Sequence, residues 1–438
     1  MNELRRLGAV LDGDLITPAH PAYDTARKGA FARFDDIRPA AVAPCASAAD
    51  VARVLAFARH TATPVAPRGG GHCFAGRSST GGVVIDTSRL DAITVDGDGT
   101  ARVGAGARLG RVYRQLHRRG RTIPAGCGPG VGIAGLTLGG GLGLLGRSHG
   151  LTCDALRGAR VVLADGRVVD CDADNEPDLW WGLRGAGGGQ FGVVTRLTFA
   201  TVAEPRATRF ALTWPTGSAV DVAAAWQDWA PEAPDDITAN LTIVAEPARP
   251  PRATVFGSAL RGVDEAEEAL GELVARTGTE PESTYDTHVW SDLKRALAGP
   301  EPGERPRTWS RSEFFTDPLP PAVLDDLIDA QTGTAASRRE LNFTAMGGSY
   351  RRLAADATAF AHRHQRFLLE HVADDADAWP HRSWARAHAH GTGAVYANFP
   401  DPHLDNPAVA YHGANLPRLV DVKRRYDPDR LLAFPQSI

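Results

Sequence analysis

The fold is decided by residues 65–86, which read VAPRGGGHCFAGRSSTGGVVID. The residues at its two ends, 64–67 and 83–86, predict short strands because apolar and β-branched residues lie between Gly and Pro turns. The loop between them carries three consecutive glycines, Gly69 to Gly71, followed by His72. Glycine allows a positive φ and close approach of the backbone to a ligand, and successive N–H groups in such a loop bind anions. The stretch therefore predicts a strand–loop–strand unit. A single glycine-rich loop is most often a turn, so a phosphate-binding role depends on the other glycine clusters.

Two more glycine clusters follow, from Gly126 to Gly146 and from Gly185 to Gly192. None of the three opens a helix after a first strand with G-x-G-x-x-G spacing, which disfavours the ordinary dinucleotide-binding fold. No G-x-x-x-x-G-K-[ST] motif is present either, which disfavours a nucleotide hydrolase. We expect one large phosphate-bearing cofactor that is bound by several separate loops.

The chain has 438 residues, more than one ordinary domain holds. Up to about residue 205, strands, short helices and glycine loops alternate, including a helix start at Ser47–Asp50, a hairpin signal at Asp165-Gly166 and a strand signal at Val193–Phe199. Residues 206–388 have more helical periodicity, and residues 389–438 return to turn and strand signals. The pattern is of the α+β class.

Charge and composition exclude several partners. The net charge is -4 and the pI about 6.4, so no basic face for nucleic acid or a membrane surface is indicated. The start of the chain has no apolar signal region, and no apolar run reaches the length of a membrane span. Five widely spaced cysteines without C-x-x-C spacing indicate reduced thiols in a cytoplasmic protein, and no metal site is predicted. The oligomeric state is left open.

Three segments resemble the FAD-binding loops of the berberine-bridge-enzyme-like oxidases, a group within the vanillyl-alcohol-oxidase flavoproteins: VAPRGGGHCFAGRSS, PAGCGPGVGIAGLTLGGGLGLLGRSHGLTCDAL and LWWGLRGAGGGQFGVVTRLTF. The C-terminal YANFPDPHLD and YHGANLPRLVDVKRRYDPDRLLAFPQSI resemble the closing motif of that group. The resemblance implies an FAD-binding domain at 1–205, with its PCMH-type region at about 37–204. It implies a substrate domain at 206–388, an antiparallel sheet covered by helices, and a segment at 389–438 that returns to the FAD domain.

The resemblance further implies that His72 is joined covalently to the 8α-methyl carbon of FAD. The alternative is a loop histidine that is only hydrogen-bonded to backbone. For Asp154, capping of a local turn is as good an interpretation as cofactor binding. The implied cofactor-binding positions besides His72 are Arg68, Gly69, Gly70, Gly71, Gly76, Arg77, Cys127, Gly128, Val131, Gly132, Thr137, Leu138, Gly139, Gly140, Gly141, Arg147, Gly150, Asp154, Gly187, Gly189, Gly192, Val193, Val194, Tyr396, Asn398 and Asn415.

Many members of the group add a second link, from a cysteine to flavin C6. Their pattern is Pro-Ala-Gly-x-Cys-Pro-x-Val-Gly, whereas residues 124–132 read PAGCGPGVG. When the two patterns are aligned on the residues that they share at both ends, the linking position falls on Gly128. Cys127 stands one residue earlier, where we expect its side chain to point elsewhere. We therefore expect one link, through His72. A second link through Cys127 is the alternative, if the extra glycines let the loop shift.

The cofactor accepts a hydride in this type of chemistry, and a base must take the proton when the oxidised carbon bears OH or NH. Tyr396 is the leading candidate by resemblance, although an ordinary tyrosine pKa of about 10 makes it a poor base at neutral pH. Packing on the flavin is its alternative role. His412 is a second candidate because histidine titrates near neutrality, and an exposed substitution is the favoured alternative. Asn398 and Asn415 are expected to bond flavin or substrate, with a turn role open for Asn415.

The substrate side is matched only loosely. Asn342, Thr344 and Tyr350 flank the turn at 346–348, and by resemblance alternate residues of this strand face the substrate. Neither Asn342 nor Thr344 is a carboxylate, so an acidic base from this strand is not expected.

Val131 matches a position where a small residue lets dioxygen reach the flavin. The expectation is an FAD-dependent oxidase that transfers a hydride from an alcohol, sugar hydroxyl, amine or specialised-metabolite intermediate to flavin N5 and forms hydrogen peroxide. A flavin-dependent dehydrogenase with another acceptor is the alternative, and a non-redox flavoprotein of the same fold is a further one.

Overall fold

The computed structural model describes residues 2–214, 217–247, 249–298, 305–332, 337–374 and 378–438. The strands are β1 Ala41–Pro44, β2 Val65–Arg68, β3 Val83–Asp86, β4 Ile93–Val95, β5 Thr100–Gly104, β6 Arg121–Thr122, β7 Leu156–Val162, β8 Val168–Asp172, β9 Val193–Ala200, β10 Val202–Ala203, β11 Arg206–Thr213, β12 Ile237–Ala245, β13 Arg252–Ala259, β14 Glu282–Val289, β15 Trp309–Phe315, β16 Arg339–Ala345 and β17 Phe367–Ala373.

Short 3-10 turns occur at Ala32–Phe34, Thr152–Ala155, Ala230–Glu232, Gly348–Arg351 and Gly413–Asn415. The α-helices are α1 Asn2–Gly8, α2 Tyr23–Ala26, α3 Ala48–Thr61, α4 Leu109–His117, α5 Ile133–Leu138, α6 Gly146–His149, α7 Pro177–Gly182, α8 Ala219–Trp229, α9 Val263–Thr277, α10 Trp290–Ala298, α11 Pro321–Thr332, α12 Trp379–His388, α13 Pro407–His412 and α14 Leu416–Tyr426. None of them within the described ranges is long and apolar enough to cross a membrane.

The first half of the chain builds two main sheets. Strands β1, β3 and β2 form a parallel sheet in that order, and β4-β5-β9-β7-β8 form an antiparallel one. The predicted hairpin is β7–β8, with Val161 opposite Val169. Helix α3 begins where expected, because Ser47 accepts a hydrogen bond from the backbone N–H of Asp50 and so caps the first turn.

The second large sheet is antiparallel, with strand order β14-β11-β13-β12-β16-β17-β15. Helices α8, α9, α11 and α12 cover one of its faces, where Trp226, Leu270, Leu327 and Trp379 join its apolar side chains in one core. The α+β class and the antiparallel sheet covered by helices are confirmed. On the opposite face, Phe314 and Leu368 belong to a smaller apolar cluster.

The C-terminal segment corrects an expectation. The sequence predicts turns and strands in residues 389–438. The structure instead forms helices α13 and α14 there, and no strand lies in this range. Leu419, Val422 and Tyr426 recur at helical spacing and are buried against the core of the first half. Lys423 is buried in the same helix and pairs with Asp427 at 2.7 Å.

Arg147 ties the glycine-rich region to the seven-stranded sheet. Its side chain is 1% exposed and lies at the start of the short helix α6. The guanidinium donates to Ile237 O and Pro231 O, both at 2.9 Å, and also to the carbonyls of Ala233 and Met346. One side chain therefore satisfies four carbonyl groups, which makes Arg147 a structural residue rather than a cavity residue.

We expect Arg147→Leu to lower the free energy of unfolding by about 3 kcal/mol or more, because it leaves several buried acceptors without a donor. Thermal melting followed by circular dichroism measures the effect. Arg167→Leu is the matched control, since Arg167 is exposed and pairs only with the exposed Asp165, and should change stability by less than about 0.5 kcal/mol. Equal melting temperatures for the two variants would contradict the assignment.

Candidate functional site

One cavity of about 670 Å³ lies where the three glycine loops and the C-terminal segment meet. This size is within the range of sites that enclose a drug-sized or larger ligand. The residues at its wall that the sequence singled out are Arg68, Gly69, Gly70, Gly71, His72, Gly76, Arg77, Cys127, Gly128, Val131, Gly132, Leu138, Gly187, Gly189, Gly192, Val193, Val194, Tyr396, Asn398 and His412. The three clusters that looked separate in the sequence thus enclose a single space.

The first two loops cross each other backbone to backbone. A Cβ on Gly70 would lie 2.2 Å from Gly132 N, and a Cβ on Gly132 would lie 2.3 Å from Gly70 N. Neither position has room for any side chain, so both glycines are required by the crossing. Backbone polar groups of the two loops are thereby left at the cavity wall, where a ligand rather than a side chain meets them.

His72 lies at this crossing. Its Nδ1 is 2.9 Å from Gly70 O, and a Cβ on Gly130 would be only 3.2 Å from its Cε1 atom. Burial lowers the pKa of His72, and the nearby Arg108 acts in the same direction, against the bond to Gly70. The imidazole is therefore held in one orientation at the cavity and is neutral at ordinary pH, as a nucleophile must be.

Cys127 also lines the cavity and is partly exposed. Its Sγ atom accepts a hydrogen bond from Lys294 Nζ at 3.1 Å. The cysteine stands one residue before the expected linking position, and there its thiol lies beside an amine from helix α10. Gly128, the position on which the family's cysteine would fall, packs against Val131.

Tyr396 is 2% exposed and its hydroxyl oxygen lies among three donors. Gly141 N donates to it at 2.9 Å, Leu142 N at 3.1 Å and Asn398 Nδ2 at 3.0 Å. Burial raises the pKa of Tyr396, and the three donors oppose that shift. Because its oxygen already accepts these bonds, the phenol proton is available to an acceptor elsewhere.

His412 differs from expectation. It is not an exposed substitution but is 1% exposed at the cavity wall. Burial lowers its pKa to about 3, and the nearby His362 and Arg77 add to the effect. The argument for acid–base catalysis by His412 near neutrality therefore fails. Its Nδ1 is buried and has no hydrogen-bond partner among the described residues.

Several expected site residues lie behind the wall instead of on it. Asn415 donates to Ala355 O and Thr358 O, and Asp154 pairs with Arg363 at 2.7 Å. Tyr350 donates to Gly143 O. The polar atoms of these side chains bond to other groups of the protein, so they stabilise the loops and are not directed at a ligand. The remaining positions away from the wall are Thr137, Gly139, Gly140, Gly141, Arg147, Gly150, Asn342 and Thr344.

The face of the seven-stranded sheet opposite helices α8, α9, α11 and α12 carries a row of polar residues. Register places them side by side across all seven strands: Glu282, Thr213, Thr254, Thr242, Asn342, Glu370 and Ser312. Thr242 and Asn342 are bonded at 2.6 Å, and Thr213 and Thr254 at 3.1 Å. Such a row offers hydroxyl, amide and carboxyl groups to a polar molecule.

Glu370 is the residue that sequence reasoning missed. It is partly buried on β17, and its carboxylate accepts a hydrogen bond from Ser310 at 2.5 Å. Burial raises its pKa to about 7, with Glu340 acting in the same direction and Ser310 opposing. Leu368, two residues earlier on the same face, packs in one cluster with Tyr396, so Glu370 stands only about 7 Å further along the strand.

A cavity walled by glycine loops, with a fixed histidine at its edge and a polar sheet face beside it, defines a flavoprotein-type site. Residues 39–172 match the family described as FAD binding domain, and residues 395–438 match the family described as Berberine and berberine like. An uncharacterized FAD-linked oxidoreductase of Bacillus subtilis, YgaK, is 32% identical over 98% of this chain and 97% of its own. The chain belongs to the berberine-bridge-enzyme-like FAD-linked oxidoreductases.

Other relatives extend this comparison. Chitooligosaccharide oxidase of Gibberella zeae is 30% identical over 91% of this chain and 87% of its own. The solved structure of BBE-like 1 from Physcomitrella patens superimposes with a TM-score of 0.91 and 26% identity, and covers 99% of this chain and 98% of that one. The protein is accordingly an FAD-linked oxidoreductase. Its own residues fit that cofactor, because Gly70 and Gly132 both line the cavity and their crossing has no room for a side chain that would fill it.

Gly70→Ala should strongly reduce the FAD content of the purified protein, because its methyl group would displace the backbone of Gly132. The ratio of flavin to protein absorbance measures this content. Gly81→Ala is the matched control: Gly81 is also in the first loop region, but no atom lies within 4 Å of its Cβ position, so it should retain full FAD. Full FAD content in Gly70→Ala would show that the crossing is not needed.

Proposed function

We propose that this protein is an oxidase that removes a hydride from a hydroxyl-bearing carbon of a neutral carbohydrate-type substrate, with FAD held through His72 and dioxygen as the acceptor. The observation that carries the proposal is the polar row with Glu370 beside the cavity. Residues 1–205 and 389–438 form the FAD-binding part of this proposal, and residues 206–388 form the substrate part.

The position of His72 supports covalent attachment. Its neutral imidazole is held against Gly130 by the bond to Gly70 at the edge of the cavity. FAD, when bound, supplies the hydride acceptor, and the protein supplies orientation and proton transfer. A covalent bond also prevents loss of the cofactor from a cavity that keeps an open side.

The polar row supports a substrate with several hydroxyl groups. Hydroxyl, amide and carboxyl side chains are the partners that bond sugar hydroxyls, and an apolar substrate would leave them unsatisfied. Glu340 and Glu370 lie near each other, which disfavours an anionic substrate. The names of two relatives, chitooligosaccharide oxidase and xylooligosaccharide oxidase, agree with this class.

Glu370 is our candidate for the group that takes the hydroxyl proton. A pKa of about 7 lets the carboxylate both accept and release a proton near neutral pH. Tyr396, whose raised pKa keeps it protonated, can donate its free phenol proton to a substrate or cofactor oxygen. The division of roles therefore differs from the sequence-based expectation, which gave the base role to Tyr396.

Val131 lies at the cavity wall, and it supports dioxygen as the acceptor because by resemblance a small residue at this position lets dioxygen reach the flavin. A dehydrogenase with another acceptor is the second candidate. Oxygen uptake with stoichiometric peroxide during turnover favours the oxidase, and turnover only with an artificial acceptor favours the dehydrogenase.

Glu370→Gln should lower kcat by about a hundredfold or more, because general base catalysis typically contributes this much. In the native enzyme kcat/KM should fall as pH drops through about 7, where Glu370 becomes protonated. Ser310→Ala is a milder variant. Loss of the hydrogen bond from Ser310 should raise the pKa of Glu370 and so move the fall of kcat/KM to higher pH, while most of kcat is kept. An unchanged acidic limb in Glu370→Gln would refute the role.

His72→Ala should abolish the flavin that remains with the protein after acid precipitation, as seen in the colour of the pellet and in the intact mass. Cys127→Ser is the matched control at the neighbouring loop and should keep one covalently bound FAD. A colourless native pellet would contradict covalent attachment, and loss of a second bond in Cys127→Ser would contradict the single link.

A further inference from the structure

Lys294 is a buried amine with unusual partners. It lies on helix α10, is 3% exposed, and its Nζ donates to Ala125 O at 3.0 Å and to Cys127 Sγ at 3.1 Å. The rings of Tyr113 and Trp290 lie 5.0 and 5.5 Å from the same nitrogen. No carboxylate of the described residues forms an ion pair with it.

A buried ammonium without a carboxylate is costly, so the environment favours the neutral amine. Burial accordingly lowers the pKa of Lys294, with the nearby Cys127 acting in the opposite direction. A neutral amine has a free lone pair and is a nucleophile, whereas an ammonium is not. Lys294 thus combines a nucleophilic form with a sulfur atom at hydrogen-bond distance.

Cys127 differs from the other cysteines of the chain. Cys45, Cys153 and Cys171 are buried, whereas Cys127 and Cys73 are partly exposed at the cavity. Only Cys127 of these two has a lysine nitrogen at its sulfur among the described contacts. A thiolate is the form of cysteine that reacts with peroxide, and Lys294 Nζ donates a hydrogen bond to the Cys127 sulfur.

We propose that Cys127 and Lys294 form a peroxide-dependent modification site in which oxidation joins the two side chains through a sulfur–nitrogen bond. In the first step the Cys127 thiolate attacks hydrogen peroxide, the O–O bond breaks, and a sulfenic acid and hydroxide form. In the second step the Lys294 amine attacks the sulfenic sulfur, the S–O bond breaks, and the hydroxyl group leaves with an amine proton as water. Overall, sulfur is oxidised by two electrons and peroxide is reduced to two waters.

The proposed bond has a structural consequence. Helix α10 follows β14 of the seven-stranded sheet, whereas Cys127 belongs to the second glycine loop at the cavity. The bond would tie these two parts together at the cofactor site and remove a free thiol from it. Hydrogen peroxide as a local oxidant rests on the proposed oxidase function, but the chemistry of the pair does not, since peroxide can be added from outside.

The test is peptide mass spectrometry of the holoenzyme after treatment with added hydrogen peroxide and digestion with trypsin. Peptide 122–147 contains Cys127 as its only cysteine, and a modified Lys294 blocks cleavage, so that its partner peptide is 277–295. We expect these two peptides to appear joined, with a combined mass lower by two hydrogen atoms, and to separate again after thiol reduction. Cys73, which has no amine partner, should instead react with a sulfenic acid probe in the same sample.

Lys294→Arg is the matched variant, because its guanidinium keeps N–H donors at this position but cannot form the bond, and its Cys127 should react with the probe instead. If Lys294→Arg fails to fold, the presence or absence of the joined peptides in the native enzyme still tests the proposal. The proposal is overturned if peroxide leaves peptide 122–147 unjoined and Lys294 cleaved to give 277–294, if a joined product carries an added oxygen atom, or if Cys127 is found already bonded to flavin. Joined peptides in an enzyme that proves inactive as an oxidase would support the pair and refute only the proposed function.

Discussion

The close crossing of the Gly70 and Gly132 backbones is the constraint on which the rest of the structure depends. With only 2.2 Å between a Cβ at Gly70 and the nitrogen of Gly132, no other residue fits at either position. The crossing brings the His72 loop and the Cys127 loop to one wall, and the third glycine loop and the C-terminal segment complete the cavity. A phosphate-bearing cofactor is bound by such loops through backbone groups, which is why three glycine clusters recur in the sequence.

The second constraint is the asymmetry of the seven-stranded sheet. Four helices cover one face with apolar side chains, and the other face carries the polar row that contains Asn342 and Glu370. Between this row and the cavity lies a small cluster of Phe314, Phe360, Leu368 and Tyr396. Leu368 of this cluster lies two residues before Glu370 on β17, and burial raises the pKa of Glu370 to about 7, as the proposed proton transfer requires.

The sequence predicted the elements that have local signals and missed those that depend on register. Glycine loops, the β7–β8 hairpin and the start of α3 each have their own residue pattern, and all three form as expected. Helix α14 was missed because turn residues around it outweighed its helical spacing of Leu419, Val422 and Tyr426. Glu370 was missed because it lies in the apolar run FLLEHVA, where only the pairing with β15 and β16 shows which face it occupies. The contact between Lys294 and Cys127 joins residues that are 167 positions apart, and no sequence pattern indicates it.

The most direct test of the account is anaerobic titration of the purified holoenzyme with neutral oligosaccharides while the visible absorbance of the flavin is recorded. The account predicts that the flavin band bleaches with an oligosaccharide, that it returns when air is admitted, and that bleaching is slowed strongly in Glu370→Gln. A flavin band that no hydroxyl-bearing substrate bleaches, or one that bleaches equally fast in Glu370→Gln, would contradict the claim that the polar face presents a sugar hydroxyl to the cofactor.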